Sequence, residues 1–334
     1  MRREEGFSLT EMLLAICITL LVLAGTLGAF NDSLRLHEKA VEVSELDHNL
    51  RTGMQLLVED FIGAGWGIPV GGVPVPSGED AEPITRPGPR DGELEFASET
   101  IAAVNPGPAL GPVVCGGATD IVNILYADGS IALDTHRLVE IGENGSSVTV
   151  DSRTPISGPR PVRSGDLICL SNALGSALQY VTRVSGQKIL FDADDPMRLN
   201  QPGVPGSVTR LMDEEGHFPP TSARRIHLIT YYLEPSPLDP GLTRLMRRIN
   251  DRPATAVAEV LENLQFSYDL VDGALNPTDI KIPLAPNSPA QIRKVNLLLA
   301  GRTGRVMRET GAYVRRTLTT QVSLRSLSYI DRYR

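Results

Sequence analysis

Chemistry in a protein chain is carried first by histidines, cysteines and clustered carboxylates, and here such residues are sparse. The five histidines, His37, His48, His136, His217 and His227, include no pair at the helical i, i+4 spacing that would turn two ring nitrogens toward a zinc ion. His227 alternates with apolar neighbours in RRIHLITYYL, the pattern of a solvated or hydrogen-bonded histidine on a strand. The chain has no G-x-S-x-G turn to expose a nucleophilic serine, and no G-x-x-x-x-G-K-[ST] loop to cradle phosphate. Asp192, Asp194 and Asp195 form a short acidic run whose oxygens could ligate calcium, but it reads first as a solvated turn. No catalytic residue, metal site or cofactor is therefore expected, and the chain reads as something other than an enzyme.

One carboxylate stands apart. Glu11 heads the uncharged run Met12 to Phe30, which as a helix rising 1.5 Å per residue would be about 28 Å long, close to the hydrocarbon thickness of a bilayer. A carboxylate costs about 2.5–3.5 kcal/mol at the bilayer centre and less near the interface, so Glu11 needs a partner or an interfacial seat. Snorkelling at the helix end is the simplest solution. The run passes smoothly into a polar helical stretch instead of ending at a small-residue cleavage site, which separates it from an ordinary secretory signal. Arg2 and Arg3 place the amino end in the cytoplasm, against an opposite vote from Arg35 and Lys39.

At the junction the residues read Gly6-Phe7-Ser8-Leu9-Thr10-Glu11. The string GFSLTEMLLAI resembles the processing site of type IV prepilins and pseudopilins, in which a membrane peptidase cuts after the glycine and methylates the new terminal phenylalanine. The resemblance implies that Gly6 ends a leader and that Phe7 begins the mature chain. Glu11 then becomes the acidic residue at mature position five, an assembly residue paired with the Phe7 ammonium of an adjacent subunit. Further along, TDIVNILYADG, AEVLENLQFSYDLVDG and MQLLVEDFIGAGWG resemble segments of the larger minor pilins of the PilW kind and, more distantly, GspJ-type pseudopilins of type II secretion. The implied partners are other minor and major pilins, a prepilin peptidase, an inner-membrane assembly platform and the lipid bilayer. The implied location is the inner membrane, crossed once, with the globular part periplasmic, and the pilus after assembly. The function implied is that of a minor pilin helping to start a filament. A type II secretion pseudopilin, or a membrane-anchored periplasmic binding or adhesion protein, is the alternative.

These residues must be positioned by an extended helix and a β domain. After the leader, residues 1–6, the expected helix covers 7–62, its membrane part about 12–30. Beyond Asn31 it carries Val43, Leu46, Leu50, Met54, Leu57, Val58 and Phe61 at three- and four-residue steps, an amphipathic stripe that must pack on something. Gly25 and Gly28 are weak points, each costing about 1 kcal/mol relative to alanine in a helix interior. Residues 63–112 are rich in glycine and proline and are expected to form a surface excursion without regular structure. Residues 113–334 carry alternating strand patterns, with Asp128-Gly129, Asn144-Gly145 and Ser185-Gly186 placed to turn hairpins. The order, helix first and strands after, predicts an α+β fold in which the long amino-terminal helix packs on a largely antiparallel sheet.

With 334 residues the chain is long enough for a substantial core, and its net charge of −8 with pI near 5.3 opposes binding to nucleic acid or anionic lipid. No basic patch offsets that charge, Arg244, Arg247 and Arg248 reading as a solvated strand face. Cys17 lies in the apolar run, so export would leave Cys115 and Cys169 as the pair able to form a disulfide in an oxidising compartment.

Overall fold

The computed structural model describes the chain except residues 1–7, 70, 90–91, 95–98, 130–136, 143, 154–155, 158–160, 309 and 329–334. One helix, α1 (Leu9–Gly63), runs for 55 residues, about 80 Å at 1.5 Å per residue. Gly25 and Gly28 do not interrupt it, and a Cβ at either would meet open space. The helix stops where the chain turns through Gly65 and Gly67 at φ 78° and 67°. At Gly67 a Cβ would lie 2.0 Å from Arg224 Nη1 and 2.7 Å from Ala127 Cβ, so only glycine lets the chain pass here. That close passage sets Trp66 beneath the Arg224 guanidinium, 5.4 Å from the ring centroid.

The two halves of α1 have different environments. Residues 8–38 are exposed throughout, whereas Leu46, Leu50, Gly53, Met54, Leu57, Asp60 and Phe61 are buried at the expected three- and four-residue steps. Among the described residues, only the second half is docked on the domain.

Residues 64–112 depart from the expected surface excursion. They hold five short strands, β1 (Val73–Pro74), β2 (Thr85–Arg86), β3 (Gly92–Glu93), β4 (Thr100–Ile101) and β5 (Val104–Gly107). Val73, Val75, Ile84, Leu94 and Ile101 are buried in a core shared with Leu125, Leu167, Cys169, Leu178 and Ile226. Glycine and proline here shorten the strands, to two residues in the β1–β4 and β2–β3 pairs, without keeping the segment out of the core.

Next come the hairpin β6 (Val113–Val114) and β7 (Gly117–Ala118), then β8 (Ile121–Ala127), β9 (Leu138–Ile141) and β10 (Ser147–Val150). They are followed by β11 (Leu167–Asn172), β12 (Gly175–Tyr180), β13 (Arg183–Ser185), β14 (Lys188–Leu190), β15 (Ser222–Pro235), β16 (Thr243–Ile249) and β17 (Thr255–Glu259). The last elements are β18 (Leu261–Leu270), β19 (Ile292–Arg302), β20 (Arg315–Ser323) and the single turn α2 (Arg325–Ser328). All these pairings are antiparallel, as the α+β reading requires.

The 14-residue β15 organises the main sheet. Ile226 faces Ala127 of β8 and Leu167 of β11, and Ile229 faces Ile124 of β8 and Ile249 of β16. Strand β8 thus lies along one edge of β15, while β11 and then β16 share the other. Asn250, fully buried, closes the junction: its Oδ1 accepts from Leu228 N at 2.9 Å and its Nδ2 donates to Gly165 O at 3.0 Å. A second sheet, β18-β19-β20, and the docked half of α1 enclose the largest core with β8, β15 and β16. A third, β13-β14-β10-β9, covers a separate apolar cluster around Val148, Ile168 and Phe191.

Gly145 and Gly186, at φ 70° and 61°, turn the β9–β10 and β13–β14 hairpins as their sequences predict. Asp128-Gly129 follows β8, which pairs with β5 and β15, and the residues that this turn would lead into lie outside the described residues. The strand expected at 131–133 lies outside the described residues, and the one expected through Leu327 ends at Ser323.

Candidate functional site

The candidate site is the unburied half of α1. Its first turn is closed by a capping box: Glu11 N donates to Ser8 Oγ at 3.3 Å, and Ser8 N donates to Glu11 Oε2 at 3.0 Å. Ser8 Oγ also donates to the same carboxylate oxygen, at 3.1 Å. Ser8 and Glu11 stand in the S-x-x-E spacing that marks such a box, a signal the sequence carries beside the snorkelling and partner roles expected of Glu11. Glu11 therefore satisfies helix-end donors within its own chain, while its Oε1 carries no hydrogen bond among the described residues. Gly6 and Phe7, the expected processing pair, lie outside the described residues.

Beyond Glu11, Leu13, Leu14, Ile16, Leu20, Leu21 and Leu23 are each more than half exposed. Among the described residues, no element of the domain covers them, and the helix is long and apolar enough to cross a membrane. An apolar face of this size is stable only against hydrocarbon or other apolar side chains.

Beside the apolar stripe, a buried carboxylate joins this helix to its domain. Asp60 accepts Tyr126 OH at 3.0 Å and Arg247 Nη2 at 3.0 Å on Oδ1, and Tyr231 OH at 2.6 Å and Arg247 Nε at 2.7 Å on Oδ2. Burial, then the Asp60 charge, pushes both phenols well above their ordinary range, so they stay protonated and donate to Asp60, while Tyr126 OH also accepts from Arg247 Nη2 at 3.5 Å. Burial opposes the charge of Arg247, but its hydrogen bonds and attraction to Asp60 prevail and raise its pKa. Arg247 is thus not on a solvated face, as its sequence suggested: the register of β16 against β15 carries it under α1. Arg248 meanwhile bonds Asp251 at 2.6 Å, and Arg244 stands 3.9 Å from Glu234. The sequence held a signal for Asp60 as well, a lone carboxylate three residues from Leu57 on an otherwise apolar stripe.

Cys115 and Cys169 do not form the expected disulfide; all three cysteines are free. Cys169 is buried within β11, and burial raises its pKa to about 11. Cys115 is exposed in the β6–β7 turn and donates to Glu262 Oε1 at 3.3 Å, a bond that raises its pKa too. The sheet that buries Cys169 holds it away from the surface hairpin carrying Cys115.

The acidic run at 192–195 is not a simple solvated turn. Asp195 is buried and caps the chain by accepting Met197 N at 3.0 Å and Asn200 N at 2.8 Å, while Asp194 remains exposed. His227 sits on β15 with Nε2 3.6 Å from Asp128 Oδ2 and its ring edge-on to Tyr126, and burial lowers its pKa. Asp213, Glu215 and His217 converge on a surface turn, all exposed, with Asp213 Oδ1 accepting the Glu215 and His217 amides at 3.0 and 2.7 Å. Those bonds account for the cluster as a polar turn.

Comparison of this chain with known protein families, with curated proteins and with solved structures finds no match.

Proposed function

We propose that this chain is a minor pilin of a type IV pilus system, a single-pass inner-membrane subunit with an extracytoplasmic β domain. A prepilin peptidase cuts it between Gly6 and Phe7, and the mature subunit joins other pilins through its apolar helix and helps start a filament. The observation that carries this reading is a coincidence on one element. The half of α1 that its own domain leaves wholly uncovered is the half headed by the prepilin-like string Gly6 to Glu11. Such a helix needs two apolar surroundings in succession, the bilayer first and neighbouring helices after. No catalytic step belongs to the proposal.

Glu11 supplies the register. In an apolar surrounding, its carboxylate and the terminal ammonium of Phe7 on a neighbour attract far more strongly than in water, whereas either alone is costly. Glu11→Gln keeps the size and can keep part of the Ser8 cap, but removes the charge. The expected mutant inserts, is processed and folds, yet co-purifies poorly with partner pilins. Undiminished association of a correctly processed mutant would contradict this role.

A further inference from the structure

The loop that joins β19 to β20 runs along α1 toward the uncovered half of the helix. Three close approaches fix its direction. A Cβ at Gly53 would lie 3.3 Å from Leu299, one at Gly301 3.1 Å from Leu46, and one at Gly304 3.7 Å from Glu42. Each step outward on β19 is therefore a step toward the amino end of α1. Beyond Gly304, Arg305 and Arg308 share a groove of about 460 Å³ with Arg35, Glu38 and Lys39.

The described residues of the loop are tied by hydrogen bonds. Thr303 Oγ1 donates to Arg305 O at 2.8 Å, Met307 N to Ala312 O at 3.0 Å, and Gly311 N to Met307 O at 2.9 Å. Met307 is buried as its anchor, while Val306, between the two arginines, is 45% exposed. Among the described residues, Arg35, Arg305 and Arg308 have no carboxylate within ion-pair distance.

Along the helix side of the groove the charges run Arg35, Glu38, Lys39, Glu42 and Glu45, so the end nearer Phe30 is net positive and the far end net negative. Arg35 stands five residues past Phe30, about 7.5 Å along the helix, which is roughly the depth of one headgroup layer when the Met12 to Phe30 run fills the hydrocarbon. Glu42 and Glu45 line the far end of the groove, two or more turns from Arg35 and farther from the bilayer. The net charge of −8 is spread over the whole chain, and its repulsion is screened beyond about 8–10 Å at physiological salt. Sequence reading finds no basic patch because Arg35 and Arg305 become neighbours only through the docking of α1 on β19.

We propose that Arg35, Arg305 and Arg308 form a seat for an anionic phospholipid headgroup where α1 leaves the bilayer. The guanidinium groups bond the phosphate, and Val306 dips toward the acyl boundary. The seat rests on the reading of Met12 to Phe30 as a membrane span. It gives the β domain a fixed height and facing on the membrane before the subunit is withdrawn.

The test uses the full chain reconstituted in phosphatidylcholine bilayers, with spin-labelled phosphatidylglycerol or spin-labelled phosphatidylcholine as the probe. The motionally restricted fraction gives the relative affinity of the two lipids. A preference for phosphatidylglycerol of about fivefold or more is expected, since each basic residue near a surface contributes about that factor. The doubly substituted Arg305→Glu, Arg308→Glu chain should lose most of the preference. A control with Arg183→Glu and Arg210→Glu, in β13 and in the 3-10 turn at Val208–Leu211, should keep it. Equal preference in the loop variant and the parent would overturn the seat while leaving the span intact. No restricted fraction with either lipid would overturn the span and the seat together.

Discussion

At the scale of single residues, the polar groups of this protein are mostly spent on its own architecture. Asp195 caps a turn, Asp60 takes four hydrogen bonds, and Asn250 seals a sheet junction. The three thiols differ in what they meet, and that difference is measurable. Alkylation of the unfolded, unreduced protein should label Cys17, Cys115 and Cys169 alike. In the native protein the exposed Cys115 should react first and Cys169 should resist, because burial both blocks the reagent and suppresses the thiolate. Unreactive Cys115 and Cys169 in the unfolded chain would restore the disulfide that the export argument suggested. That argument failed for a physical reason: compartment decides whether thiols may bond, but only the fold decides whether they meet. The capping role of Ser8 and Glu11 was, by contrast, fully legible, since it depends on residues three apart.

Among the elements, α1 was the most legible, because one face of a helix is written in consecutive three- and four-residue steps. Its end at Gly63 and its core positions from Leu46 to Phe61 follow directly from that pattern. Strand β11 was not legible: Leu167 to Leu170 is an apolar run buried on both faces, with no alternation to mark it. The segment after α1 misled for a related reason, since glycine and proline limit the length of a strand but not the burial of the Val, Ile and Leu residues between them. The pairing of Asp60 with Arg247 across 187 positions was equally invisible, being set by how a helix lands on a sheet. Asp60→Ala should lower stability by about 3–5 kcal/mol, because it strands a partly buried guanidinium, the buried phenol of Tyr231 and the half-buried phenol of Tyr126. Denaturant unfolding followed through Trp66, at the end of α1, measures this. A change below about 1 kcal/mol would show that the apolar stripe alone docks the helix.

For the whole molecule, the contrast is between a β domain whose described residues form three large apolar cores and one small cluster, and a helix half of which is exposed. That contrast suits a subunit that is carried by a membrane and then handed to neighbours. A β domain of this bulk also suits a subunit used sparingly. Quantitative proteomics of sheared filaments should find it far below the major subunit, and dominance in the filament would make it a major pilin. The central claim, that the helix is a processed pilin anchor, meets its most direct test in the amino terminus of the protein extracted from membranes. Mass spectrometry should show a chain beginning at N-methylated Phe7, with residues 1–6 gone and the Met12 to Phe30 run retained. An intact Met1, or a chain that begins after Phe30, would contradict it.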